Sequence, residues 1–162
     1  MRNALIVIAI VTVAGACSRL DPVTGSAMHD FGALNGARVE LTAEGGIGGV
    51  AETHVITHDG RGFVYVLRQI CGAACNAPID SVSGALTPAA ADSVFNVVYE
   101  QNAFALRDDY GVTKGAADMF AWTLRVTMEG RTKTVHADDG TMPPQMRTIV
   151  AAVRGTVFAA RR

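Results

Sequence analysis

Cysteine is scarce in this 162-residue chain, aromatics make up only 6% of it, and neither sign of charge dominates: 14 Lys and Arg stand against 15 Asp and Glu, for a formal net charge of -1. The arginines are scattered, with no basic cluster and no interleaved aromatics, which excludes a nucleic-acid-binding surface. No Gly-x-Ser-x-Gly elbow occurs, and no serine stands in a recognisably activated setting, so nothing points to an enzyme. Metal-ligand patterns are also lacking. Asp108, Asp109 and Asp118 do not have the regular oxygen-ligand spacing of a calcium loop and read as solvated loop acids. His54 and His58 lie four apart in an expected strand, which separates them by about 13 Å, too far to share one ion. His29 and His136 have no local partner pattern, so neither metal nor cofactor is expected.

Long apolar runs are missing too, except at the start. Arg2 is followed by an apolar stretch from Ala4 to Ala14, and Val13-Ala14-Gly15-Ala16-Cys17 resembles a lipobox, with Ala14 where leucine is commonest. Residues 1–16 therefore read as a lipoprotein signal peptide, and Cys17 as the acylated first residue, carrying palmitate-type chains. A transmembrane helix is the alternative, but the run falls short of the roughly 20 residues that span a bilayer. Residues 17–37 read as a lipidated N-terminus and flexible tether. Ser18 is not the aspartate associated with inner-membrane retention, so the expected location is the bacterial cell envelope, with the outer membrane favoured. Removing 16 of the 162 residues leaves 146, enough for one core, and a single domain is expected over 38–160.

Two cysteines then remain, Cys71 and Cys75. In an exported protein so close a pair ordinarily forms a disulfide, which the chain-entropy model values at about 2 kcal/mol for a small loop. Metal ligation and redox chemistry stay open as alternatives, although the pair has three intervening residues where thioredoxin-like motifs have two.

Alternation of apolar and polar residues predicts strands at Val39–Leu41, Val50–His58 and Phe63–Ile70, with His58-Asp59-Gly60-Arg61-Gly62 as the turn between the last two. A loop is expected between Cys71 and Gly84. Thr87 and Pro88 then open a helix running to about Asn102, with Val94, Phe95, Val97 and Val98 at helical spacing. Arg107 to Asp118 reads as an irregular, mobile loop. Phe120 to Met128 alternates strictly, Glu129-Gly130 turns the chain, and Arg131 to Ala137 forms the partner strand. Pro143-Pro144 start a second helix with Met146, Ile149, Val150, Val153 and Val157 on one face. The expected fold is α+β: an antiparallel sheet in βββα-ββα order with two helices packed on one face.

The run Glu44-Gly45-Gly46-Ile47-Gly48-Gly49 is the most unusual local feature beyond the N-terminus. Its spacing is not that of a phosphate-binding loop, and no helix follows it. Glycine pairs between strands ordinarily mark a bulge or a turn needing positive φ. A binding loop that displays Ile47 is the other reading.

Taken in order, these pieces resemble the emfourin family of protealysin inhibitors. The likeness rests on the strand entering the glycine-rich run (Val39 to Gly49), the helix opened by Leu86-Thr87-Pro88, and the strand pair from Asp118 to His136. Asp138-Asp139-Gly140 before Pro143-Pro144 completes it, so that it spans about residues 38 to 158. The resemblance implies blockade of a thermolysin-like zinc metallopeptidase, with a metallopeptidase as partner and the membrane engaged only through the N-terminal lipid. Such peptidases favour a bulky apolar side chain on the primed side of the cleft. On that basis the partner-binding residues are expected to be Glu44, Gly45, Gly46, Ile47, Gly48 and Gly49, with Ile47 as anchor and support from the Arg107–Asp118 loop. A lipoprotein that binds or scaffolds another envelope protein is the second expectation.

Overall fold

The structure is a computed structural model, and it describes residues 34, 36–46, 49–59, 61–70, 78–115 and 118–162. The signal peptide, Cys17, Ile47, Gly48, Cys71 and Cys75 lie outside the described residues.

The strands are β1 (Arg38–Gly45), β2 (Val50–Thr57), β3 (Gly62–Gln69), β4 (Pro78–Ala85), β5 (Phe120–Met128) and β6 (Arg131–Asp138); the helices are α1 (Pro88–Glu100) and α2 (Pro144–Ala160). All pair antiparallel in one sheet of order β4-β3-β2-β1-β5-β6. This is the α+β class expected from the pattern, with one strand more. The segment Pro78-Ile-Asp-Ser-Val-Ser-Gly-Ala is not a loop but an edge strand, giving the order ββββ-α-ββ-α. A strand at the sheet margin buries little, so small and polar residues suffice and the apolar alternation that marks an inner strand is faint.

One face of the sheet carries the core. Val39 and Leu41 of β1, Ile56 of β2, Phe63 and Tyr65 of β3, Leu124 and Val126 of β5 and Val135 of β6 are buried together with Val94, Phe95 and Val98 of α1. Met146, Ile149, Val150, Val153 and Val157, the stripe expected on α2, are all buried in the same cluster. Thr87 caps α1 by accepting from the Ala90 amide at 3.2 Å, and Pro88 occupies the first turn. Glu129 and Gly130 both have positive φ, 53° and 71°, the two-residue turn whose twist matches its strands.

Within the Arg107–Asp118 segment, the described stretch 107–115 is tied to the sheet. Its first part runs beside β6: the His136 amide donates to the Asp108 carbonyl at 2.8 Å, and the Tyr110 amide donates to the His136 carbonyl at 2.9 Å. Lys133 of β6 also pairs with Asp108. An edge strand that would otherwise offer unpaired amides is thereby covered. No helix among the described residues is long and apolar enough to cross a membrane.

Candidate functional site

The β1–β2 hairpin tip emerges at the end of the sheet shared by the start of β5 and the end of β6. Gly45 pairs with Val50 in β2 and with Phe120 in β5, so the tip has a neighbour on each side. Gly45, Gly46 and Gly49 have φ of 130°, 70° and 52°, and the Gly49 amide donates to the Gly46 carbonyl at 3.1 Å. The conformation alone favours glycine, and crowding adds a second requirement. A Cβ at Gly45 would lie 2.7 Å from the Met119 carbonyl oxygen, one at Gly46 would lie 3.0 Å from the Phe120 ring, and one at Gly49 would lie 2.9 Å from the Ile70 carbonyl oxygen. The Ile70 amide donates to the Gly49 carbonyl at 2.5 Å. The expectation of a turn needing positive φ is met at Gly45, Gly46 and Gly49, and these three positions are crowded from two sides. Glu44, at the last ordinary position of β1, is exposed.

Two aspartates that the sequence offered only as a motif fragment organise this end of the fold. Asp139 accepts from the Phe120 amide at 2.9 Å and from the Trp122 indole Nε1 at 2.6 Å, and its own amide donates to the Phe120 carbonyl at 3.2 Å. Asp138 is buried, at 5% exposure, and accepts from the Thr113 amide, the Thr113 hydroxyl at 2.9 Å, the Gly140 amide at 3.0 Å and the Thr141 amide at 2.8 Å. The Thr113 amide, with the Thr141 amide and both hydroxyls, holds the Asp138 carboxyl far below the usual carboxylate range, against the opposing effect of burial. With the folded value depressed, the stabilisation is present above the unfolded value of about 3.9 and is lost as pH falls below it. Thermal midpoints measured from about pH 7 down to pH 3 should fall below about pH 4 in the wild type. Asp138→Asn should lower the midpoint at neutral pH and flatten that acid dependence, and an unchanged pH profile would count against the assignment.

Below the tip, on the helix side of the sheet, lies a polar group that sequence reasoning missed. His54 is wholly buried, its Nε2 against Glu52 and its ring 5.1 Å from that of Tyr65 and 5.5 Å from that of Phe158. Its Nδ1 has no partner among the described residues. Arg154 reaches Glu52 at 3.5 Å and lies 5.6 Å above both the Trp122 and the Phe158 rings; Arg161 lies 3.9 Å above Tyr65 and pairs with Asp80 at 2.5 Å. Burial pushes the Glu52 carboxyl up, but its contact with His54 and the charges of Arg154 and Arg161 outweigh that and leave it below its ordinary value. The one signal available in the sequence was that β2 places Glu52 and His54 on the same face as Ile56.

His58 sits apart from His54, bonded to Asp92 of α1 at 3.0 Å and set edge-on against Phe95. His136 bonds the Thr123 hydroxyl at 3.1 Å on the open face of the sheet. Among the described residues no three His, Cys, Asp or Glu are grouped to hold a metal. Two shallow grooves of about 390 and 430 Å³ lie along α1 at the opposite end of the sheet from the tip, the first lined by Tyr99, Asn102, Glu129 and Arg131 among apolar residues and the second almost wholly by small and apolar ones.

The family model for emfourin matches residues 72–154, just over half of the chain. The chain belongs to the emfourin family. The match begins six residues ahead of β4 and runs through most of α2, and so takes in Phe120 and Asp139, while the hairpin tip itself precedes it. The emfourin assignment makes this a metallopeptidase-inhibitor-like domain, a binding module and not an enzyme family. No curated protein matches the chain.

Proposed function

We propose that this protein is an envelope lipoprotein that inhibits a thermolysin-like zinc metallopeptidase by presenting the Glu44–Gly49 hairpin tip to the peptidase cleft. Membership of the emfourin family is the observation that carries the reading. The crowding at Gly45, Gly46 and Gly49 supports it, because flanking positions that are already restrained give up little conformational freedom on binding. Ile47 supplies the apolar anchor in this reading, Glu44 and the glycines frame it, and Cys17 carries the lipid that keeps the domain in the envelope. A disulfide between Cys71 and Cys75 would fix the chain where it leaves β3 beside the tip.

Titration of residues 18–162 against a panel of thermolysin-like peptidases tests this directly. Stoichiometric loss of peptidase activity is the expected result. No effect across the panel would instead favour a lipoprotein that binds or scaffolds another envelope protein. Labelling with radioactive palmitate should mark the wild type and leave Cys17→Ser unlabelled.

A further inference from the structure

Four glycines in six residues should make a hairpin tip the loosest part of a domain, since each has more backbone freedom than any other residue. Looseness suits a substrate: a peptidase binds the transition state, and a segment free to follow the enzyme into that geometry is hydrolysed. Hydrolysis here means that water adds across one peptide bond, its hydroxyl to the carbonyl carbon and its proton to the leaving nitrogen. A tip that stays in the cleft uncut must resist that distortion.

The glycines at 45, 46 and 49 are each pressed against a neighbour. On the β3 side the contact is backbone to backbone, through Ile70. On the β5 side it is made by the Met119 carbonyl and the Phe120 ring. Phe120 is itself locked: its amide and carbonyl are both bonded to Asp139, and its ring lies 6.2 Å from the Trp122 ring, whose indole is bonded to the same aspartate. The freedom glycine would confer is thus used for close approach.

We infer that Phe120, fixed by Asp139, is a positioning residue that keeps the hairpin tip an inhibitor and prevents it from becoming a substrate. This rests on the inhibitory reading above. Removing the ring frees Gly46 on one side while leaving the sequence of residues 44–49 unchanged. Phe120→Ala should therefore still bind at first, then be cut within residues 45–50 and release active enzyme. Asp139→Asn, which keeps the shape but opposes an NH2 to one of its two donors, should do the same more slowly. Phe120→Leu, with an apolar side chain restored, should recover most of the lasting inhibition.

Two measurements on the full-length chain in detergent decide the matter. Amide hydrogen exchange over residues 45–50 and 70, read without peptidase, should be at least about tenfold faster in Phe120→Ala than in the wild type, while the strands away from the tip stay protected. Timed incubation with the inhibited peptidase, followed by mass spectrometry, should show the wild type intact and the variant carrying the mass of one added water. A folded Phe120→Ala protein with unchanged exchange, or one that inhibits as durably as the wild type and remains uncut, overturns the inference. If the wild type itself inhibits no peptidase, the inhibitory reading falls and this inference with it. That outcome is distinct, because the inference fails alone only when the wild type does inhibit.

Discussion

Replacing Ile47 with aspartate should abolish inhibition, raising the inhibition constant by about a thousandfold or more, while the thermal midpoint stays where it is. Transfer of an isoleucine side chain into an apolar pocket is worth about 1.5 to 3 kcal/mol, and an aspartate loses all of it. Its carboxylate would in addition be stripped of water in an apolar pocket, a further cost of several kcal/mol. At about 1.4 kcal/mol per tenfold, a loss of some 4 kcal/mol already gives the thousandfold change. Concentration of the effect in one side chain is usual for anchors of this kind. The fold should not notice, because the contacts that hold the tip are made by Gly45, Gly46 and Gly49 with Met119, Phe120 and Ile70. Inhibition assays paired with thermal unfolding check both halves, and undiminished inhibition would remove this tip from the interface.

Glu52→Ala should have the opposite profile, a large loss of stability at a position that touches no partner. The Glu52 side chain is only 14% exposed, and it meets the wholly buried His54 as well as Arg154. Removing it leaves the His54 Nε2 without an acceptor in a site where Nδ1 is already unpartnered. Breaking a buried pair from one side costs about 3 kcal/mol or more, which for a domain of this size lowers the midpoint by about 10 °C. Glu52→Gln keeps an acceptor for His54 and should cost distinctly less. The wild-type advantage should be present above the unfolded carboxyl value of about 4.3 and fade below it, because the folded value is depressed. Thermal denaturation of the three proteins at two pH values separates these terms. A Glu52→Ala midpoint within a degree of the wild type would mean that the cluster is idle.

The contrast between these two substitutions marks what could be read from residues alone. Features decided by neighbours in sequence were legible: the capping threonine before Pro88, the Glu129-Gly130 turn, the alternation of β5 and the five-residue stripe of α2. Each depends on local backbone geometry or on a period that a single element sets by itself. The glycine run was legible as unusual, and its positive φ was expected. The reason for it was not, because Met119 and Phe120 lie some seventy residues downstream and meet Gly45 and Gly46 only once β1 has been inserted between β2 and β5. The Glu52–His54–Arg154 cluster was hidden for the same reason, since one of its members comes from α2. A fourth strand escaped because its place at the margin asks little of its side chains. Asp138 and Asp139 stood out as a pair, but their partners come from the Thr113 loop and from the start of β5.

β1 sits inside the sheet, hydrogen-bonded to a neighbour on each side. The chain reaches it at Arg38, and the hairpin tip leaves it at Gly45, at the other end of eight residues. A force applied at Arg38 along the strand axis loads two antiparallel ladders in shear at once. Shear strains many hydrogen bonds together, whereas a strand at the margin would be peeled one bond at a time.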